Sequence, residues 1–296
     1  MIFHLSEANF WVFDYFRKDY VKDLTVQWKS YGSFVGSWNM LVYGTAFYVL
    51  SKIKDNTNIA RGRVTFFFFF LGLTNLMFGW AHHAYILPTL PWIRYVAYAV
   101  SMTEWIIFIR IIYGWRKSLT PREKKENSMA YMFIRASDFW VFANLVMALL
   151  MSIPTLNFFT HGTHVTVAHS MGTTIGINTC ILLASVSFIL SKLEVKHRPT
   201  RKLPFYMFNG SLFVFWITLI AMGLKKAVWE LNNPDGHIGE LHSESAPYYI
   251  AFVISGIALF ISIVWIAIPM IRSLLPYCRH LIIPDSMYEE IEGRRK

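Results

Sequence analysis

Three histidines, His161, His164 and His169, fall within nine positions in the stretch Thr160-His161-Gly162-Thr163-His164-Val165-Thr166-Val167-Ala168-His169. They stand where a polar loop gives way to a long apolar run. Imidazole is the commonest ligand for iron, copper and zinc, and lipid offers a histidine no compensating partner. A metal held inside the protein is therefore the first chemistry to consider. A second imidazole pair, His82-His83, closes another apolar run. Two more donors lie inside apolar segments, the carboxyl group of Glu104 and the amide of Asn39, with Tyr43 four residues after the amide. Positions i and i+4 share a helix face, so Asn39 and Tyr43 can address one site.

Membrane helices must position these groups. Of the 296 residues, 55% are hydrophobic and only 16% charged, against about 25% charged in soluble domains. Long runs almost free of charge predict seven spans, at about 32–51, 64–83, 94–114, 129–153, 165–191, 205–229 and 248–271. Each exceeds the ~30 Å hydrocarbon core at ~1.5 Å rise per residue. The fold class is an all-α polytopic membrane bundle of about seven transmembrane helices. Residues 1–30 read as an extracytoplasmic interfacial segment rich in aromatics, 31–272 as the membrane domain, and 273–296 as a cytoplasmic tail. The net charge of +10 does not signal nucleic acid, because its cations cluster in short loops between spans. Loops 52–63, 115–128 and 192–204 and the tail carry them, whereas 84–93, 154–164 and 230–247 contain no Lys or Arg. The positive-inside rule then places the N-terminus outside and the C-terminus in the cytoplasm. Cys180 and Cys278, the two cysteines, support neither a disulfide framework nor a cysteine-ligated cluster.

On this topology His82-His83, His169, Asn39 and Glu104 all reach the outer half of the bilayer. Plainer roles exist for each. A histidine at a helix end is commonly an interfacial hydrogen-bonding residue, and His161 and His164 read as loop residues at the rim. Glu104 could pair with Arg110 or Arg94, although an intramembrane carboxylate is a functional candidate by default. Asp138 with Arg135 reads as a structural pair near the cytoplasmic side. The five phenylalanines 66–70 read as lipid- or core-facing bulk.

Gly79-Trp80-Ala81-His82-His83, Ser101-Met102-Thr103-Glu104 and Thr160-His161-Gly162-Thr163 through Ala168-His169 resemble the second half of the catalytic subunit of heme-copper oxidases. Within that superfamily the likeness is closest to the nitric oxide reductases, and the seven spans resemble helices six to twelve of twelve. The resemblance implies that His82 and His83 bind a non-heme metal, iron or copper. It makes His169 the axial ligand of a high-spin heme b. Glu104 matches a glutamate that the reductases keep beside their non-heme iron and that oxygen-reducing members generally lack.

Three departures from the family pattern stand out. Asn39 occupies the position of a third metal-binding histidine, with Tyr43 at the second site on that helix. An amide oxygen is a harder ligand than imidazole and suits Fe(II) better than copper. Met171 stands where the ligand of a second, low-spin heme is expected; a thioether can serve, and core packing explains it equally well. The helices bearing that heme's other ligand are not in this chain, which implies a separate polypeptide for the N-terminal half or a fragment.

The resemblance implies reduction of nitric oxide to nitrous oxide in a bacterial inner membrane, with Glu104 and Tyr43 as catalytic residues. Electrons would come from a cytochrome c subunit or a quinol, and the absence of a CxxCH motif points to a separate donor. An oxygen-reducing terminal oxidase and a non-catalytic subunit that keeps the fold are the alternatives.

Overall fold

The computed structural model describes residues 2–78, 90–151, 153–193 and 202–282. Short helices α1 (Ile2–Glu7) and α2 (Asp14–Arg17) lead into α3 (Tyr20–Lys54). The Asp19 side chain caps α3 by accepting from the Val21 and Lys22 N–H groups at 3.1 and 3.2 Å. Asp55 ends the helix in the left-handed region at φ 50°, a conformation that Asp tolerates better than most residues. Then follow α4 (Asn58–Arg61), α5 (Arg63–Phe78), α6 (Pro91–Ser118), α7 (Pro121–Glu126), α8 (Ser128–Met151), α9 (Pro154–Thr160) and α10 (His164–Met171). A π-helical segment, Gly172–Thr179, joins α10 to α11 (Cys180–Lys192), so the three form one continuous rod. The chain closes with α12 (Lys202–Asn232), α13 (Ile238–Glu244) and α14 (Ala246–Ile282). No strand occurs among the described residues.

Among the described residues, five helices are long and apolar enough to cross a membrane: α6, α8, the α10–α11 rod, α12 and α14. The first predicted span lies within α3, whose Ser, Gly, Asn and Tyr residues dilute its hydropathy. The second is described as far as Phe78. The helix α3 crosses the expected boundary at residue 30: Asp19 caps its start, and Leu24 and Trp28 pack with Ala97 of α6. The main apolar core joins α3, α6, α8, α11, α12 and α14, and a smaller cluster gathers Leu24, Trp28, Phe78 and Ile93 around Ala97. Outward faces reverse the soluble pattern. On α14, Ser255 and Ser262 are buried while Ile254, Ile257 and Phe260 are exposed. A continuous apolar exterior of this kind is what lipid requires. The chain is an integral membrane protein.

The phenylalanine run divides. Phe68 turns inward onto Tyr43, Phe47 and Phe108, at ring separations of 5.6, 5.5 and 5.7 Å, while Phe66, Phe67, Phe69 and Phe70 face outward. Asp138 pairs with Arg116 of α6. The expected partner Arg135 is exposed, which corrects the sequence expectation: a tertiary neighbour displaced the local one.

At the N-terminus, Lys29 of α3 donates to both Glu7 carboxylate oxygens at 2.5 and 2.6 Å, and His4 Nδ1 lies 2.8 Å from Glu7 Oε2. Burial opposes the Glu7 charge, but the hydrogen bonds and charges of Lys29 and His4 outweigh it and hold its pKa below the usual value. A lowered folded pKa stabilises the docked form above the unfolded pKa of about 4.3, and the contribution fades as pH falls through the folded value. Limited proteolysis is therefore expected to cut within 8–19 faster at pH 4 than at pH 7. Lys29→Ala should bring the faster cutting to pH 7.

Candidate functional site

The Thr-His-Gly-Thr stretch has a clear local purpose. Gly162 adopts φ +71°, which a side chain would resist. Thr163 then caps α10, its hydroxyl accepting from the Val165 N–H at 3.2 Å. This sharp entry starts the rod one turn before His169. His161 stays in the loop with its ring 5.3 Å from that of Trp28 on α3, and His164 opens the helix. His169 stands more than a turn inside the rod, its Nδ1 shielded from solvent like that of His164.

Just beyond His169 the helix widens into its π segment. Such segments place an extra residue per turn and recur at functional sites. Thr173 donates to the His169 carbonyl at 3.1 Å and accepts from the buried Asn144 amide of α8 at 3.4 Å. Gly172 and Gly176 let α8 approach: a Cβ on either would come within 2.5 Å of Asn144 or Trp140. Asn178, near the end of the π segment and two residues before α11, donates to Asn39 Oδ1 on α3 at 2.9 Å. Among the described residues no donor reaches the buried side-chain oxygens of Asn144 and Asn178.

A second polar group forms between α3, α5 and α6. Glu104 is buried, 6% exposed, and its Oε2 accepts from the Asn75 amide of α5. Neither Arg110 nor Arg94 supplies that hydrogen bond. Gly72 leaves the space that Glu104 Oε1 faces; a Cβ there would sit 3.7 Å from it and from Met40. Tyr43 is buried with its ring 4.6 Å from Phe108. Tyr43 and Glu104 line one cleft of about 450 Å³.

Tyr43 and Glu104 thus come together on one cleft, whereas Asn39 is turned to Asn178 of the π segment. His169 lies elsewhere along the rod. Nine residues separate it from Asn178, the partner of Asn39, or roughly 13 Å of helix rise. Met171 packs at the margin of the main core. His82 and His83 lie outside the described residues. Among the described residues no group of three or more His, Cys, Asp or Glu is placed to hold a metal. His169, an imidazole in a membrane span with its Nδ1 shielded from solvent, has donor chemistry that would suit heme iron.

A family model described as cytochrome c and quinol oxidase polypeptide I matches residues 1–271. The chain belongs to this family. No curated protein matches it. Membership makes the chain an oxidoreductase subunit of the heme-copper type, from a family that works with cytochrome c or quinol donors. In this oxidase polypeptide I chain, Asn75, Asn144, Thr173 and Asn178 are the polar neighbours that sequence reading passed over. The signal was present, since each is a polar side chain inside an apolar span, and the rule applied to Glu104 covers them.

Proposed function

We propose that this chain reduces nitric oxide to nitrous oxide as part of a bacterial inner-membrane respiratory complex. The observation that carries the reading is Glu104, a buried carboxyl group on a cleft wall, oriented by Asn75. His169 would hold the heme iron, and His82 and His83, with Asn39, would hold the second metal. The Asn39 oxygen accepts one hydrogen bond from Asn178, and an amide oxygen retains a second lone pair. When bound, the two metals supply the redox chemistry by which two nitric oxide molecules, two electrons and two protons give nitrous oxide and water.

The side chains do the rest. Asn75 fixes one oxygen of Glu104, leaving the other toward the Gly72 gap, where the carboxyl group can hold and release a proton. The rings of Tyr43, Phe68 and Phe108 keep that region dry. Tyr43 supports a second reading, oxygen reduction, because it is buried on the same cleft. Metal analysis of the purified complex distinguishes the two. Iron without copper is expected, and one copper per high-spin heme would favour the oxidase.

The proposed unit is a seven-span membrane domain over 31–272, with the N-terminus outside and the tail from 273 in the cytoplasm. Cys278 is exposed and Cys180 buried. A membrane-impermeant thiol reagent is expected to label Cys278 only after intact cells are permeabilised. Labelling of whole cells would reverse the orientation.

A further inference from the structure

The cleft that Tyr43 and Glu104 line also takes in Tyr48, Arg61 and Phe69. It falls within the range of ligand sites, ~300–1,000 Å³. Gly44 forms part of its wall, and a Cβ there would meet nothing within 4 Å. Tyr48, Phe66 and Phe69 flank it with exposed rings, so it faces the lipid side of the bundle. Arg61 lines the far end, with Arg63 two residues on. Among the described residues neither arginine has a carboxylate within ion-pair distance, whereas nearby Lys54 is held by Glu123 at 3.3 Å. From Arg63 to Gly72 the helix α5 rises about 14 Å.

We propose that this cleft seats one acyl chain of an anionic phospholipid, its phosphate on Arg61 and its chain running toward Gly72. Charge sets the polarity. A cation with no carboxylate in ion-pair distance among the described residues lies at one end and a carboxyl group at the other, so an anionic head belongs at Arg61. Arginine matches phosphate with a planar fork of donors, and the aromatic walls suit a hydrocarbon chain. Gly44 and Gly72 provide the width.

The test is native mass spectrometry of the delipidated complex, titrated with palmitoyl-oleoyl phosphatidylglycerol or with phosphatidylcholine of the same chains. The wild type is expected to retain one phosphatidylglycerol and to bind phosphatidylcholine more weakly. Arg61→Gln should weaken phosphatidylglycerol about fivefold, the contribution of one surface cation. Gly44→Leu, which fills open space, should remove the bound lipid without lowering the unfolding temperature. If it fails to fold, Arg61→Gln decides alone. Equal binding of the two lipids, or retention by both variants as in the wild type, would overturn the proposal. Complete displacement by millimolar inorganic phosphate, or a quinone found in the cleft instead, would do the same.

Discussion

Alanine at His169 is expected to abolish the carbon monoxide difference signal of the reduced complex, because on the proposed reading the heme would lose its protein ligand. The substitution also leaves a cavity in the rod, so heme loss alone would not separate ligation from packing. Added imidazole makes that separation. If His169 is a ligand, free imidazole should enter the cavity and restore the signal in part. If it only packs, imidazole should change nothing and His169→Phe should keep the signal. The carbonyl of this residue already accepts from Thr173, and that bond survives the change. The rod should therefore keep its course.

The second large effect concerns the approach of α12 to the start of that rod. A Cβ on Gly223 would come within 2.4 Å of the Val165 backbone nitrogen, 2.7 Å of its Cγ2 and 3.0 Å of the Thr163 hydroxyl. Backbone cannot swing aside as a side-chain tip can. Gly223→Ala is therefore expected to cost about 1–3 kcal/mol, as overpacking does, and to displace the helix that carries His169. Gly210 on the same helix is the control, since a Cβ there meets nothing within 4 Å. Gly210→Ala should be neutral or stabilising by up to about 1 kcal/mol, the helix-propensity difference. Thermal unfolding in detergent, followed with and without heme, reads both. Equal effects would mean that the α10–α12 contact is looser than described.

Much of the fold was legible because the bilayer imposes a coarse rule, apolar length, that single sequences obey. The predicted spans over α6, the α10–α11 rod, α12 and α14 lie within helices of suitable length and composition, and the one at 129–153 runs two residues past the end of α8 at Met151. The start of α3 was not legible. Its first turns carry Lys22, Asp23 and Lys29, which argue against a membrane but not against a helix. Pairings across the bundle were hidden too. Arg135 is three residues from Asp138 and the obvious partner by spacing, yet Arg116 of α6 takes the contact.

The site was partly readable. His169, Glu104 and Tyr43 stand out as polar or titratable groups in apolar spans, and the Thr-His-Gly-Thr stretch as a helix entry. Their depths were not readable. Counting from span ends put Asn39 and His169 at similar levels. The Asn39–Asn178 bond instead sets Asn39 well below His169 along the rod. The π segment between them leaves no trace in apolar periodicity. It arises where small residues, Gly172 and Gly176, let α8 press against the rod.

Turnover of the purified complex with nitric oxide under anaerobic conditions, with a chemical electron donor, tests the central claim most directly. One nitrous oxide formed for every two nitric oxide molecules consumed is the expected result. Consumption of oxygen with no nitrous oxide produced would contradict it.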